Sequence, residues 1–378
     1  MSFTDITLHP SVSKALTEQG YSKATPIQQQ AIPVALQKRD VLGCAQTGTG
    51  KTAAFLVPIL QMLLEDEDVQ RRYIKALVLA PTRELALQIA ENTKSLSIYT
   101  GIRHAVLFGG VSQQPQVNKL KAGVDILIAT PGRLKDLMNQ GLVSLKQVKY
   151  LVLDEADRML DMGFIRDIKQ IIQHIPADRQ TLFFSATMPP EILKLAHTLL
   201  RNPVKIEVTP VATAAEQVMQ YVYFSEKQQK PSLLLNLLGN QASETVIVFT
   251  QMKHVADKLS RFLKKEGISA DAIHGNKSQS QRQTALERFK CRQTRVLVAT
   301  DIAARGIDVD KLGHVINYDL PQTAETYVHR IGRTGRAGSA GTAISICSQE
   351  EKPLLVEIQK LIKKTITVAR IPGYSQKN

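Results

Sequence analysis

Very little in this sequence supports disulfide, zinc or membrane chemistry. It has three cysteines, Cys44, Cys291 and Cys347, each far from the others. They offer no metal-ligand spacing and no disulfide framework, which fits a reducing compartment. No apolar run approaches the roughly 18 residues that a spanning helix needs. The opening MSFTDITLHP has neither a charged n-region nor an apolar h-region, so no signal peptide is expected and the protein reads as cytoplasmic. Short repeats and low-complexity segments are also missing.

What is present is positive charge and α/β patterning. The formal net charge is +14, divided as +6 over residues 1–206 and +8 over residues 207–378, so the excess is not a basic tail. Such a balance points to a polyanionic partner. At about 150 residues per domain, the 378 residues suggest two or three domains. Short, mainly apolar runs alternate with helix-length segments. They are 41–44, 76–80, 105–108, 126–129, 150–153, 182–184 and 204–208, then 221–224, 245–249, 270–273, 296–299, 315–318 and 343–347. Runs apolar along their whole length indicate parallel strands buried on both faces. The fold class is α/β, with two tandem doubly wound parallel-sheet domains. The polar stretch TPVATAAEQ, 209–217, reads as a linker between domains 1–208 and 218–378.

Residues 43–52 read GCAQTGTGKT and follow the run 41–44. A glycine-rich loop between a strand and a helix lets backbone N–H groups converge on phosphate. Ala45, Gln46, Thr47, Gly48, Thr49, Gly50, Lys51 and Thr52 are the candidate cradle, with Lys51 reaching the β and γ phosphates and the Thr52 hydroxyl on Mg²⁺. The usual pattern has glycine where Ala45 stands. The plain alternative is a glycine-rich turn with a chance lysine. The run YLVLDEAD, 150–157, would carry Asp154 and Glu155 to the carboxyl edge of the sheet, where both join Thr52 around Mg²⁺, mostly through water, and Glu155 polarises the attacking water. Far downstream, YVHRIGRTGRAG at 327–338 clusters His329, Arg330, Arg333 and Arg336 without an acid, which raises the question of what anion they meet.

With DEAD at 154–157 the chain resembles the DEAD-box RNA helicases of superfamily 2, in their bacterial RhlE-like branch, from Phe3 to about Ile346. The resemblance implies two RecA-like domains. It implies that Gln28 of GYSKATPIQ hydrogen-bonds the adenine edge and that Phe3 stacks on its face, with Tyr21 in the same motif. A glutamine amide offers one donor and one acceptor, as adenine's edge requires. It implies that Ser185 and Thr187 of SAT, with Asp157 and His329, couple the nucleotide site to RNA; by sequence alone the two hydroxyls are equally good helix caps. The implied RNA contacts are Pro81, Thr82 and Arg83; Gly109 and Gly110; Thr130, Pro131, Gly132 and Arg133; then Thr250, Gly275, Gln279, Arg282 and Thr300. Small residues, hydroxyls and single arginines suit a sugar–phosphate backbone. Arg333 and Arg336 match arginine fingers for the γ-phosphate, Asp308 and Gly306 of ARGIDV match the ribose loop, and Arg305 is a candidate to organise it.

The function implied is RNA-stimulated hydrolysis of ATP with Mg²⁺, coupled to closure of two domains and local unwinding of short RNA duplexes. The strand would be held by its backbone with little regard to sequence. Ribosomal precursors or the RNA-decay machinery are the partners the bacterial branch implies. An ATP-gated RNA clamp and a DNA-directed motor remain open beside it. Relatives often carry a basic tail; none precedes the end at GYSQKN, and whether one has been removed stays open.

Overall fold

The computed structural model describes residues 3–45, 48–66, 73–208, 218–239, 245–304, 312–334 and 341–369. Its contacts divide the chain into two compact units, Met1–Val208 and Thr209–Asn378. The expected linker, 209–217, lies outside the described residues.

The first unit is built on seven strands: β1 Val41–Cys44, β2 Ala76–Leu79, β3 His104–Leu107, β4 Ile126–Ala129, β5 Tyr150–Leu153, β6 Gln180–Ser185 and β7 Val204–Glu207. They pair in the order β3-β4-β2-β5-β6-β1-β7, and every pairing is parallel. Helices cover both faces, which is why the central strands are apolar without alternation. Phe183 and Phe184, consecutive on β6, show the layering: successive strand side chains point to opposite faces, and each ring is fully buried in a different core cluster.

The second unit has β8 Val218–Phe224, β9 Val246–Thr250, β10 Ala270–Ile273, β11 Val296–Thr300, β12 His314–Asn317, β13 Gly341–Cys347 and β14 Thr367–Val368. The order β10-β11-β9-β12-β13-β8-β14 is the same permutation as in the first unit, again all parallel. Thirteen of these strands correspond to the apolar runs. The fourteenth, β14, has only two residues, both exposed, so neither length nor hydropathy marks it. β8 begins at Val218, three residues before the run, because the polar Gln220, buried within the strand, interrupts the apolar series.

Candidate functional site

Strands β5, β6 and β1 are neighbours, so the loops after their carboxyl ends meet at one place. After β1 the chain turns through Gly48 and Gly50, with φ of +84° and +91°, into the helix Lys51–Leu64. A side chain at either φ would be strained, and Gly50 is needed for a second reason. A Cβ there would sit 2.4 Å from Gln28 Nε2. Gln28, 2% exposed, donates from that nitrogen to the Gly50 carbonyl at 3.0 Å and accepts from Thr25 N–H at 2.8 Å. The expected adenine reader is therefore pinned to the loop that would hold phosphate. Its amide still has a second N–H and a second lone pair. Phe3 and Tyr21 lie together, ring edge to ring face, with centroids 5.7 Å apart. Gln46 and Thr47 lie outside the described residues.

Lys51 begins its helix buried, and its Nζ stands 3.8 Å from Asp154 Oδ1. Neither atom has a hydrogen-bond partner among the described residues. Burial pushes the Asp154 carboxyl up, against the opposing pull of Lys51 and Arg158. A buried ammonium and a buried carboxylate facing each other with hydrogen-bonding capacity unfilled are a donor set fit for a phosphate chain and its cation. Thr52, half-buried in the first helical turn, is adjacent in sequence. Glu155 follows with φ +54°, a left-handed value rare outside glycine, and starts the helix Ala156–Asp161. Its carboxylate forms a buried ion pair with Arg158, a residue whose role the motif did not announce.

Asp157 joins β5 to β6. Its Oδ2 accepts from the Thr187 backbone N–H and hydroxyl, both at 2.9 Å. Its own N–H donates to Ser185 Oγ at 3.1 Å, and that hydroxyl donates to the Thr187 carbonyl at 2.7 Å. The cap alternative for Ser185 and Thr187 is thus set aside: both hydroxyls serve the Asp157 ring.

The other first-unit candidates sit on the flank formed by β3, β4 and β2. Thr82 caps the helix Arg83–Leu96 by accepting from Leu85 N–H at 3.2 Å, and Arg83 stacks on Phe108, 4.2 Å from the ring centroid. Gly110 has φ +79°. Arg133 donates to the Val111 carbonyl at 3.0 Å, tying TPGR to the loop after Gly109 and Gly110; Gly132 is exposed and Pro131 buried. Thr130 N–H donates to the Leu107 carbonyl at 2.9 Å. Gln116 holds this loop from inside, accepting from Phe108 N–H and donating to the Phe108 and Ser112 carbonyls. Nothing in its local sequence singles it out.

In the second unit Gly275, Thr300 and Thr250 follow or end β10, β11 and β9, three adjacent strands. Thr250 is buried and donates to the Met252 carbonyl at 3.3 Å. Arg282 lies in the helix Gln279–Lys290, which starts at Gln279. The helix Ala324–Ile331 answers part of the question about the arginines. Arg330 is 2% exposed and bonds Asp301 through both carboxylate oxygens, at 2.6 and 2.8 Å. It also donates to Asn317 Oδ1 and to the Asp319 carbonyl, and its guanidinium lies 5.0 Å from the Phe249 ring centroid. One arginine of the cluster therefore meets a protein carboxylate beside Thr300. Arg333 is 7% exposed and His329 half-buried. Arg305, Gly306, Asp308 and Arg336 lie outside the described residues.

Two family models match the chain: DEAD/DEAH box helicase over residues 25–195, and helicase conserved C-terminal domain over residues 229–338. The chain is 44% identical over 377 residues to the ATP-dependent RNA helicase RhlB of Pseudomonas aeruginosa, covering 98% of this chain and 95% of the relative. It is 41% identical over 371 residues to the DEAD-box ATP-dependent RNA helicase CshA of Geobacillus kaustophilus, covering 98% and 79%. Among solved structures, Dbp5 of S. cerevisiae bound to RNA and ADP BeF3 aligns with a TM-score of 0.86 at 31% identity, covering 98% of this chain and 95% of that one. These relatives share the tandem architecture of two RecA-like domains, matching the two seven-stranded sheets.

Proposed function

Because the chain belongs to the DEAD-box family of ATP-dependent RNA helicases, enzymes whose ATP hydrolysis RNA stimulates, we propose how its own residues divide that work. The carrying observation is the buried Lys51–Asp154 pair behind a left-handed glycine loop. Lys51 stabilises negative charge on the β and γ phosphates, and backbone N–H groups of the loop and of the helix start bind the rest of the chain. Thr52 and Asp154 would hold Mg²⁺, which supplies charge neutralisation across the phosphates. Phe3, Tyr21 and Gln28 form the adenine end. Glu155 accepts the proton of the attacking water, and its pairing with Arg158 holds it in place.

Domains 1–208 and 218–378 are the two halves of this reading, joined by 209–217. Arg333 and Arg336 reach the γ-phosphate when the domains close, and Asp308 and Gly306 meet the ribose. Fingers of this kind contribute about 10³–10⁵ in rate. RNA lies along the β3-β4-β2 flank of one unit and the β10-β11-β9 flank of the other, held by its backbone. Binding energy from RNA favours closure, so by linkage ATP tightens RNA binding. A bent strand cannot keep its duplex partner, and a short duplex opens locally. The Asp157–Ser185–Thr187 ring and His329 carry the signal between nucleotide and RNA. The finer assignment, to an RhlE-like branch serving ribosome assembly or RNA decay in the cytoplasm, rests on analogy with bacterial relatives. RNA crosslinked in native cells and sequenced tests it.

The test of the chemistry is Glu155→Gln. Turnover should be abolished while RNA binding with ATP persists; a variant hydrolysing ATP at the normal rate removes Glu155 as the base. Exchanging RNA for DNA of equal sequence tests the substrate class, since only RNA supplies 2′-hydroxyls.

A further inference from the structure

Outside every residue assigned so far, the second unit carries a groove of about 690 Å³ between the helices Lys253–Lys265 and Gln279–Lys290, floored by β10, the edge strand. Four cations line it: Arg261, Lys264, Lys277 and Arg288. Two carboxylates, Asp257 and Asp271, do so as well, and their oxygens are taken up inside the wall. Asp271 binds Lys264 Nζ at 2.9 Å and the Thr294 hydroxyl at 2.7 Å. Asp257 binds Lys277 Nζ at 2.8 Å and has His274 Nε2 at 3.0 Å from its other oxygen. The lysines are therefore matched, and the arginines are not. Arg261 spends only Nε, on the Asp257 backbone carbonyl at 3.3 Å. Arg288 forms no ion pair among the described residues. Two exposed guanidinium groups thus face an open, net-positive groove, neither within ion-pair distance of a carboxylate among the described residues, although Arg288 stands near enough to Asp271 to favour its ionised form.

We infer that this groove binds phosphodiester groups of the RNA strand beyond the core path. Three features favour RNA over another anion. The groove begins at the loop that carries Gly275, and Lys277 belongs to both. Its second wall is the helix that starts at Gln279 and bears Arg282, so a strand leaving those residues runs directly into it. Two of its four cations are arginines, whose planar forks match phosphate oxygens in pairs. Apart from Ala272 and Ala285 the lining is polar, with little for an apolar peptide to bury. The groove would read charge and not bases, giving long RNAs an affinity that short ones lack. This inference rests on the RNA-binding reading of the second unit and extends it.

The test uses the intact chain carrying Arg261→Gln and Arg288→Gln together. RNA-stimulated ATPase and equilibrium binding are measured on a short single strand that fills only the core path and on one several times longer. On the long RNA, half-saturation should weaken about tenfold, and the slope of log affinity against log salt should shrink by about 1, given roughly 0.7 per phosphate contact on single strands. On the short RNA both readouts, and kcat at saturation on either, should stay as in the parent. Arg288→Lys should recover part of the long-RNA loss. Equal weakening on both RNAs, or none on either, overturns the groove. So does an unchanged salt slope, which would leave the arginines to an acidic protein partner. Arg282→Ala separates this from the premise: it should weaken both RNAs, and if it weakens neither, the RNA reading of the unit has failed independently of the groove.

Discussion

The two units present the same junction in opposite states. In each, the first strand of the unit leads through a short loop into a helix whose first residue is lysine: Lys51 after β1, Lys230 after β8. In each, an aspartate follows the strand at the fifth chain position: Asp154 after β5, Asp319 after β12. Lys51 meets Asp154 at 3.8 Å with hydrogen-bonding capacity left over. Lys230, equally buried, bonds Glu351 at 2.6 Å, the Tyr318 carbonyl at 2.8 Å and Asp319 at 3.4 Å. Glu351 is held in turn by Ser348 and by Leu320 N–H, and Asp319 by Gln251 N–H. The ammonium left with unfilled hydrogen-bonding capacity in one copy is closed by carboxylates in the other. Topology places a lysine at this junction; only the neighbours decide whether it is a ligand site or a staple.

Breaking that contrast should cost most in turnover. Lys51→Ala should lower RNA-stimulated ATP hydrolysis by about 10²–10³, since a charge-stabilising donor at the transferring phosphate is lost. Its denaturation midpoint should move little, because the raised Asp154 carboxyl can take up a proton once its cation is gone. Steady-state kinetics and urea melts read both halves.

Lys230→Ala should do the reverse. It strands Glu351 and Asp319 beside a buried cavity, and removing one partner of a buried charge cluster costs about 3–5 kcal/mol. A loss below about 1 kcal/mol in urea unfolding of the second unit would show that the cluster is not a staple. Gly50→Ala comes next, since it adds a methyl against Gln28 Nε2 at an unfavourable φ. Strain of about 1–3 kcal/mol should appear as weaker ATP binding by calorimetry, with RNA binding in the absence of nucleotide unchanged. Tyr327→Phe is the mildest. Its hydroxyl bonds Gln220 at 2.9 Å in the core, between the helix Ala324–Ile331 and β8, so about 1 kcal/mol of second-unit stability should go.

Legibility in the sequence followed the range of the signal. Strands rich in apolar residues announce themselves by composition, so thirteen of fourteen were visible, and two-residue β14 was not. GTGKT and DEAD are contiguous and carry their chemistry in neighbouring residues. Arg330 looked like one more cation in YVHRIGRTGRAG, yet its partner Asp301 is 29 residues upstream, on another element. Gln116 and Arg158 sit within eight residues of their partners and were still illegible, because a buried amide or guanidinium is defined by what surrounds it and not by its spacing.

The sequence by itself determined the α/β class, the doubling of the architecture, the glycine-rich turn after β1 and the family, because each depends on residues close along the chain or on composition summed over a strand. Tertiary structure decided which lysine stays open and which is neutralised, which arginine faces a protein carboxylate, and that Gln28 grips the glycine loop. Those outcomes depend on side chains from separate strands meeting at one sheet edge, where burial makes each unpaired charge costly and each pairing specific.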